Sequence, residues 1–203
     1  EISLAHCGIL FLDELPEWGR AVLDVLREPL ESGQITVSRA ARQAEFPARF
    51  QLVAAMNPCP CGWAGDPSGR CACSAEQAAR YRGRVSGPLL DRIDLHVEVP
   101  RALAAELRPD AVAGESSAVV RARVLAARER QLSRAGKVNA HLGPREVERD
   151  CRLAAAEQAL LERAIDRLRL SARVHQRILR VARSFADLAG AERIDAAHLA
   201  EAI

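Results

Sequence analysis

The residues best suited to catalysis in this sequence are two adjacent carboxylates, Asp13 and Glu14. They follow the apolar run 8–12, whose length and composition are typical of a buried strand in a parallel sheet. In open α/β sheets, ligands bind beyond the carboxyl ends of the strands. Two acids at that edge can hold Mg²⁺ and position an attacking water, as ATP hydrolysis requires. The alternative is a strand-end turn with two solvated acids, which these residues alone do not exclude.

An asparagine strengthens the catalytic interpretation. Asn57 directly follows a second apolar run, residues 52–56, so it is predicted at the carboxyl end of another buried strand. If the two strands are parallel neighbours, the Asn57 amide and the carboxylates of Asp13 and Glu14 converge on one edge of the sheet. An amide there can hydrogen-bond both a terminal phosphate and the attacking water. Asn57 and Pro58 also form a turn signal that needs no function.

Arg92 is the candidate for an arginine supplied to a neighbouring subunit. It lies just before residues 95–99, whose alternating apolar side chains predict a third strand. An arginine inserted from a neighbour stabilises the charge that develops in phosphoryl transfer. The alternative is a surface arginine that pairs with Asp91 or Asp94.

A second candidate, Arg173, lies near the start of a predicted helix, residues 171–188. An arginine at that position can reach the terminal phosphate of a bound nucleotide. The same helix also carries Arg177, Arg180 and Arg183, and their spacing does not choose among them. A solvated basic helix face would need no ligand at all.

The cysteines form an independent signal. Two Cys-x-Cys pairs lie within fifteen positions of a loop rich in Gly and Pro: Cys59, Cys61, Cys71 and Cys73. Four thiolates in this arrangement can enclose a tetrahedral Zn²⁺, which would hold together a loop that has few apolar residues of its own. Disulfides and free thiols are the alternatives, and a cytosolic setting disfavours disulfides. Cys7 and Cys151 have no partner in sequence and are predicted to be buried packing residues.

A predicted β-hairpin carries two arginines near its tip. Residues 35–38 and 44–47 flank a polar stretch that contains Arg39 and Arg42. Arginines on a projecting hairpin can contact a nucleic-acid backbone. No aromatic residues are interleaved with them, so the sequence predicts backbone contact without base readout. An ordinary polar turn would have the same composition.

The composition sets the broad class. The 203 residues are 49% hydrophobic and 28% charged, which is typical of a globular protein, and the net charge of +2 does not by itself favour nucleic acid. No apolar run reaches the length of a membrane span. The chain opens without Met or a basic leader. We therefore expect a segment of a longer, cytoplasmic protein.

The predicted fold is α/β followed by all-α. Residues 1–100 contain the three predicted strands and the hairpin, with helices over 16–30 and 74–85. Residues 101–203 form the predicted helical domain, in which the chain reads as helical after residue 115. A connector over 100–115 marks the predicted domain boundary. Helices are predicted over 116–134, 153–168 and 171–188, with further helices beginning near 144 and 194.

The order of these landmarks resembles the magnesium-chelatase-like AAA+ family, and most closely its ComM (YifB) branch. The likeness covers essentially the whole chain and is most specific over residues 8–18 and 81–99. It implies the C-terminal part of a P-loop AAA+ core followed by a helical lid. It also implies a bacterial hexamer that uses ATP and Mg²⁺ to drive branch migration of DNA in natural transformation.

The resemblance implies one role for each candidate residue. Asp13 and Glu14 correspond to the Walker B acids, Asn57 to sensor 1, Arg92 to the arginine finger and Arg173 to sensor 2. No phosphate-binding Walker A motif is present, because the chain's only lysine, Lys137, lies in an unrelated context. We therefore expect the isolated chain not to hydrolyse ATP. A chelatase subunit that inserts Mg²⁺ into protoporphyrin and a zinc-stabilised interaction domain are the alternatives.

Overall fold

The computed structural model describes residues 1–39, 42–102, 108 and 113–203. Those residues form two compact units, Glu1–His96 and Val97–Ile203. The first unit mixes strands and helices, whereas the regular structure of the second is helical throughout its described residues. The overall class is therefore mixed α/β with a small parallel sheet, as the sequence predicted in outline. In the described part of the chain, no helix is both long and apolar enough to cross a membrane.

The first unit contains four strands and four helices among its described residues. The strands are β1 (Ile9–Leu12), β2 (Gln34–Arg39), β3 (Arg42–Pro47) and β4 (Gln51–Ala54). The helices are α1 (Arg20–Val25), α2 (Arg27–Ser32), α3 (Ala75–Arg82) and α4 (Gly87–Leu90). Short 3₁₀ turns occur at Ser3–Ala5 and Leu15–Glu17.

The strands pair in two separate sheets. Strands β1 and β4 are parallel, with Ile9 opposite Gln51 and Leu12 opposite Ala54. Strands β2 and β3 form the predicted antiparallel hairpin, which runs from Gln34 opposite Pro47 to its last pair near the tip. Because β1 and β4 run in the same direction, their carboxyl ends meet at one edge of the sheet, as the sequence predicted.

The core of the first unit lies on one side of the parallel pair. Its buried members are Leu12, Leu15, Leu23, Leu26, Val85 and Leu89. The opposite side is open among the described residues, since Ile9 is 64% exposed and Phe11 is 57% exposed. The prediction that β1 is buried on both faces is therefore wrong for this chain, which covers one face only.

Two other predictions for this unit need correction. Residues 95–99 form no strand, because no described strand lies beside them to complete a ladder, and Val97 and Val99 are exposed. The helix predicted over 16–30 is interrupted at Leu26, between α1 and α2. Pro29 explains the break, since it has no N–H to donate to the carbonyl of Val25 four residues earlier.

The second unit is a helical cluster. Its helices are α5 (Ser117–Ala135), α6 (Pro144–Asp150), α7 (Ala155–Leu168), α8 (Ala172–Ala189) and α9 (Ala196–Ala202), with a 3₁₀ turn at Asn139–His141. Helix α8 is central, because it packs against α5, α6 and α9. The buried residues include Leu142, Val147, Leu161, Ile178, Ala182 and Leu199. All five helices predicted for this region are confirmed. Each begins within two residues of its predicted start.

Polar caps fix where these helices begin and end. The Ser116 side chain accepts a hydrogen bond from the Val119 N–H, and Ser171 accepts one from Val174. Gly136 and Gly190 end α5 and α8 in the left-handed conformation that favours glycine. Ser74 and Gln77 form a capping box at the start of α3.

Candidate nucleotide site and metal centre

The acid turn, residues 13–17, leaves the sheet directly beside the end of β4. The ladder of β1 and β4 continues past both strands, because the Ala55 N–H donates to Leu12 O at 2.9 Å and the Leu15 N–H donates to Ala55 O at 2.9 Å. Asp13 and Glu14 therefore lie between two backbone anchors. This tethering fixes the backbone of both acids relative to β4.

The backbone of the acid turn is strained at Glu14. Glu14 adopts a left-handed conformation with φ of 50°, which residues other than glycine rarely occupy. Its N–H donates to Asp13 Oδ1 at 2.8 Å, and Trp18 Nε1 donates to Asp13 O at 2.9 Å. Both acidic side chains are exposed. Such strain is concentrated at functional sites, where the surrounding structure holds a residue in place.

The end of helix α3 packs against the acid turn. Arg84 Nη1 donates to Glu17 Oε2 at 2.9 Å and to Pro16 O at 3.4 Å. The neighbouring Tyr81 is buried, and its burial together with the negative charges of Glu17 and Glu14 raises the pKa of its hydroxyl. Sequence reasoning missed both Tyr81 and Arg84, because they lie more than sixty positions from the acids of the turn.

Asn57 lies at the same edge of the sheet, three residues beyond the end of β4. Its side chain is exposed, and a Cβ added at Gly62 would lie 3.8 Å from Asn57 Oδ1. The amide is therefore next to the cysteine loop. Among the hydrogen bonds of the described residues, none joins Asn57 to Asp13 or Glu14.

Arg92 is held by two residues of its own subunit. Its Nη2 donates to Glu31 Oε2 at 2.6 Å and its Nη1 donates to Pro88 O at 2.6 Å. The side chain is 12% exposed. The contact with Glu31 was not predicted, since Glu31 is 61 positions away in sequence.

The arginines of α8 have different environments. Arg173 is exposed in the first turn of the helix. Arg180 Nε donates to Leu142 O at 3.1 Å, so that side chain is engaged in packing. Arg183 is 2% exposed and donates to the carbonyls of Ala191 and Glu192. Burial therefore removes Arg183 from the candidates for phosphate contact, and Arg173 remains among them.

The hairpin arginines can be placed by backbone only. Arg39 and Arg42 are the last pair of the β2–β3 ladder, facing each other across the hairpin. The tip predicted between them, residues 40–41, lies outside the described residues. The predicted contact with nucleic acid therefore stays a prediction that rests on backbone position.

The four loop cysteines come together in space. Their sulfur atoms all lie within 4.8 Å of one another. Cys59 Sγ is 3.4 Å from Cys61 Sγ and 3.8 Å from Cys71 Sγ, and the Cys61 and Cys71 sulfurs are 3.7 Å apart. A tetrahedral zinc with bonds of about 2.3 Å sets its sulfur ligands about 3.8 Å apart. A disulfide needs about 2.05 Å, so none of these pairs is bonded, and the donor set fits one zinc ion.

Backbone N–H groups around the loop favour the thiolate form of Cys59 and Cys61. Burial and the neighbouring thiols instead raise the pKa of Cys71, and they raise the pKa of Cys73 to about 11. The Ala64 N–H donates to Cys59 Sγ at 3.3 Å, and Cys59 is fully buried. Backbone N–H groups of Trp63 and Ala72 lower the pKa of Cys61 to about 6. Because thiolates are the metal-binding form, these donors favour coordination.

The loop also connects two parts of the candidate site. It begins two residues after Asn57 and ends at Cys73, next to the Ser74 cap of α3. Arg82 on α3 donates to Pro58 O at 3.3 Å. A metal bound here would fix the end of β4 relative to α3.

The remaining cysteines differ from each other. Cys151 is buried, as predicted, and burial raises the pKa of its thiol to about 11. Cys7 is exposed, so the prediction of a packing role for it is wrong. Its backbone is left-handed, with φ of 60°, in the turn before β1.

The second unit contains a buried ionic network that no sequence pattern indicated. Asp187 is 1% exposed and accepts hydrogen bonds from Arg134 Nη1 and Nη2, both at 2.7 Å. Asn139 Nδ2 donates to the same carboxylate at 2.8 Å, and Arg183 pairs with it at 3.1 Å. Burial alone would raise the pKa of Asp187, but bonds from Arg134 and Asn139 and the charge of Arg183 hold it below its usual value.

Together these features define a class: an α/β unit with acids and an amide at one sheet edge, a cluster of four cysteines whose geometry fits a metal ion, and a helical unit. Two family models match the chain. The model for magnesium chelatase, subunit ChlI, covers residues 1–107, and the model for the C-terminal part of the same subunit covers residues 114–203. The chain belongs to the magnesium chelatase family and, within it, to the ComM branch.

The similarity to individual relatives extends over the whole chain. The competence protein ComM of Haemophilus influenzae is 53% identical over 203 residues, which are 100% of this chain and 40% of that protein. YifB of Escherichia coli is 51% identical over the same length, again 40% of the relative. A protein from Mycobacterium tuberculosis strain H37Rv is 46% identical over 193 residues, 93% of this chain and 38% of the relative. The chain thus spans about two fifths of the length of these relatives.

Proposed function

We propose that this chain is the Walker B to lid portion of an AAA+ ATPase that uses ATP hydrolysis to drive branch migration of DNA. The observation that carries the proposal is the parallel pairing of β1 with β4, which brings Asp13, Glu14 and Asn57 to one edge of the sheet. That edge is where open α/β folds bind their ligands.

Each residue at the edge has a chemical task in the proposal. Asp13 holds the magnesium of Mg–ATP through its water shell, and Glu14 orients and polarises the attacking water. The Asn57 amide donates to the terminal phosphate and accepts from the same water. The strained backbone of Glu14 supports this assignment, since an exposed acid has no structural need for a left-handed conformation.

The other candidates act between subunits or on DNA. We propose a homo-oligomeric ring, a hexamer by family resemblance, in which Arg92 reaches the nucleotide of the neighbouring subunit as the arginine finger. Arg173 contacts the terminal phosphate from the lid. Arg39 and Arg42 contact the backbone of branched or single-stranded DNA, because they flank the tip of an antiparallel hairpin.

The name of one relative favours a DNA substrate. The relative that is 53% identical is named a competence protein. Competence is the state in which a bacterium takes up DNA, so the name is consistent with a motor that processes incoming strands. A second candidate, ATPase subunit of a magnesium chelatase, is favoured by the description of the matching family models. A third, a zinc-stabilised interaction domain without catalysis, is favoured by the cysteine cluster alone.

The decisive experiment is a branch-migration assay on the full-length protein with a synthetic four-way junction, ATP and Mg²⁺. We expect ATP-dependent conversion of the junction, and no conversion with Glu14→Gln. Porphyrin metallation without junction activity would replace the proposal with the chelatase function. Absence of ATP turnover in every assay would favour the interaction domain.

We also propose that Cys59, Cys61, Cys71 and Cys73 hold a structural Zn²⁺. The sulfur separations support this assignment, since they match a tetrahedral site. Elemental analysis of protein purified without chelator should find about one zinc per chain. Cys59→Ser should lose the zinc, and the matched control Cys7→Ser should keep it because Cys7 is exposed and outside the cluster. Zinc-free protein with an intact, protease-resistant loop would contradict the assignment.

A further inference from the structure

Among the residues that have no role in the proposed function, Glu31 at the end of α2 makes the most informative contact. Its carboxylate accepts a hydrogen bond from Arg92 Nη2 at 2.6 Å. Glu31 is 51% exposed and Arg92 is 12% exposed. An ordinary surface ion pair has two exposed partners, but here the arginine is largely buried and only the acid is solvated.

The guanidinium of Arg92 is fixed from two directions. Glu31 holds Nη2 and the Pro88 carbonyl holds Nη1, each at 2.6 Å. Arg92 Nε is buried and has no hydrogen-bond partner among the described residues. A guanidinium has five N–H donors in a rigid plane, so two bonds at different nitrogens determine the orientation of the plane and leave one further N–H on each terminal nitrogen.

Helix α2 also supports the hairpin. Thr36 Oγ1 on β2 donates to Glu28 Oε1 on α2 at 3.2 Å, and the Ala48 N–H just after β3 donates to Gly33 O at 2.8 Å. Gly33 joins the helix to β2 in a left-handed conformation, and a Cβ there would lie 2.7 Å from Arg49 Cγ. The helix that carries Glu31 is therefore closely joined to the base of the hairpin.

We propose that Glu31 is a positioning residue for Arg92: it orients the guanidinium for the neighbouring subunit's nucleotide and couples that orientation to the hairpin through α2. This inference rests on the proposed function, because it takes Arg92 to be the arginine finger. It adds a residue that touches neither nucleotide nor DNA. It also specifies a route by which DNA bound at the hairpin changes the rate of ATP hydrolysis in the neighbouring subunit.

The first test measures ATP turnover of the full-length protein with and without a four-way junction. Glu31→Ala should lower kcat at least tenfold and leave the KM for ATP nearly unchanged, because misplacing a catalytic group by about 1 Å can cost a hundredfold. Stimulation by DNA should fall with it, and Glu31→Gln should retain part of the activity. The matched control is Glu76→Ala, since Glu76 also pairs with an arginine at 2.6 Å but on the exposed face of α3.

The second test mixes subunits. Glu31→Ala subunits keep their own acids and lack a positioned finger, whereas Glu14→Gln subunits keep the finger and lack the catalytic acid. If Glu31 acts through Arg92 on the neighbouring subunit, rings that mix Glu31→Ala with Glu14→Gln regain ATP turnover that neither variant has alone. Rings that mix Arg92→Ala with Glu14→Gln should behave the same way. Melting curves of each variant identify any that fails to fold, and Glu31→Gln replaces Glu31→Ala in that case.

The outcomes distinguish the positioning role of Glu31 from the arginine-finger role of Arg92. Full activity of Glu31→Ala beside an inactive Arg92→Ala would overturn the role of Glu31 and leave the finger intact. An inactive Glu31→Ala that Glu14→Gln does not complement would also overturn it, because Glu31 would then act in its own subunit. Full activity of Arg92→Ala would overturn the finger assignment itself.

Discussion

Two acidic sites in this molecule differ in almost every physical respect. Asp187, in the second unit, is buried and surrounded by donors from Arg134, Asn139 and Arg183. Asp13 and Glu14, in the first unit, are exposed, and the hydrogen bonds described for them come from the turn itself and from the adjacent Trp18. The buried acid has its charge neutralised by its own chain, whereas among the described residues no arginine or lysine pairs with the exposed acids.

The backbone shows the same contrast. Asp187 lies in the last turns of α8 with ordinary helical geometry. Glu14 is held left-handed between two hydrogen bonds of the extended β1–β4 ladder. A carboxylate in relaxed, saturated surroundings is typical of structure, and one on a strained, exposed turn is typical of a binding or catalytic site. The comparison therefore predicts opposite responses to mutation.

Removal of the buried carboxylate should have the largest effect on folding. Asp187→Ala leaves the buried Arg183 and the half-buried Arg134 without their partner, so we expect a loss of about 3–5 kcal/mol in the free energy of unfolding. Chemical denaturation followed by circular dichroism measures it. The control is Asp166→Ala on the exposed side of α7, which should change stability by less than about 0.5 kcal/mol. Equal effects of the two variants would show that the network is not structural.

Removal of the exposed charge should act on catalysis and not on folding. In the full-length protein, Glu14→Gln should slow ATP hydrolysis by about a hundredfold or more, because a residue that positions or deprotonates water contributes on that scale. Binding of a fluorescent ATP analogue and the melting temperature should stay near wild type. Glu17→Gln, three residues away and also exposed, is the control and should retain turnover. A normal rate for Glu14→Gln would remove Glu14 from its role.

A smaller effect should come from the strain at Glu14. Glycine adopts the left-handed conformation without the steric cost that other residues bear, so Glu14→Gly should stabilise the fold by about 0.5–1 kcal/mol while abolishing hydrolysis. Denaturation midpoints measure the gain. Glu17→Gly, in a right-handed 3₁₀ turn, should instead lower stability by a similar amount. A loss of stability in Glu14→Gly would mean that the Glu14 side chain has a structural role.

The pH dependence of stability should show the smallest difference between variants. The bonds from Arg134 and Asn139 lower the pKa of Asp187 in the folded state relative to its usual 3.8, although burial opposes them. The carboxylate therefore stabilises the fold fully above pH 3.8, and that contribution is lost as the pH falls below it. Melting curves of wild type should decline more steeply in this acidic range than those of Asp187→Asn. Parallel curves would contradict the shift.

The sequence predicted what depends on local pattern. Periodicity placed β1, β4, the hairpin and the long helices, and the Cys-x-Cys spacing identified the four residues that cluster. It could not predict contacts between distant residues, such as Glu31 with Arg92 or Arg134 with Asp187. Nothing local distinguishes those charges from solvated ones.

Two incorrect predictions about strands have a common physical origin. Apolar alternation over 95–99 and the apolar purity of β1 both predict strands that are paired and covered. Pairing and burial depend on neighbours that a strand's own residues do not specify. In the described chain, residues 95–99 have no strand beside them and β1 has one covered face.

The open face of the parallel pair has a practical consequence for solution work. Phe11 and Val53 are adjacent across the β1–β4 ladder and are 57% and 38% exposed. A contiguous apolar face beside a short sheet promotes adhesion between molecules. Preparations of this chain alone should therefore become turbid as concentration rises, and light scattering at several dilutions is the first measurement that any study of its stability needs.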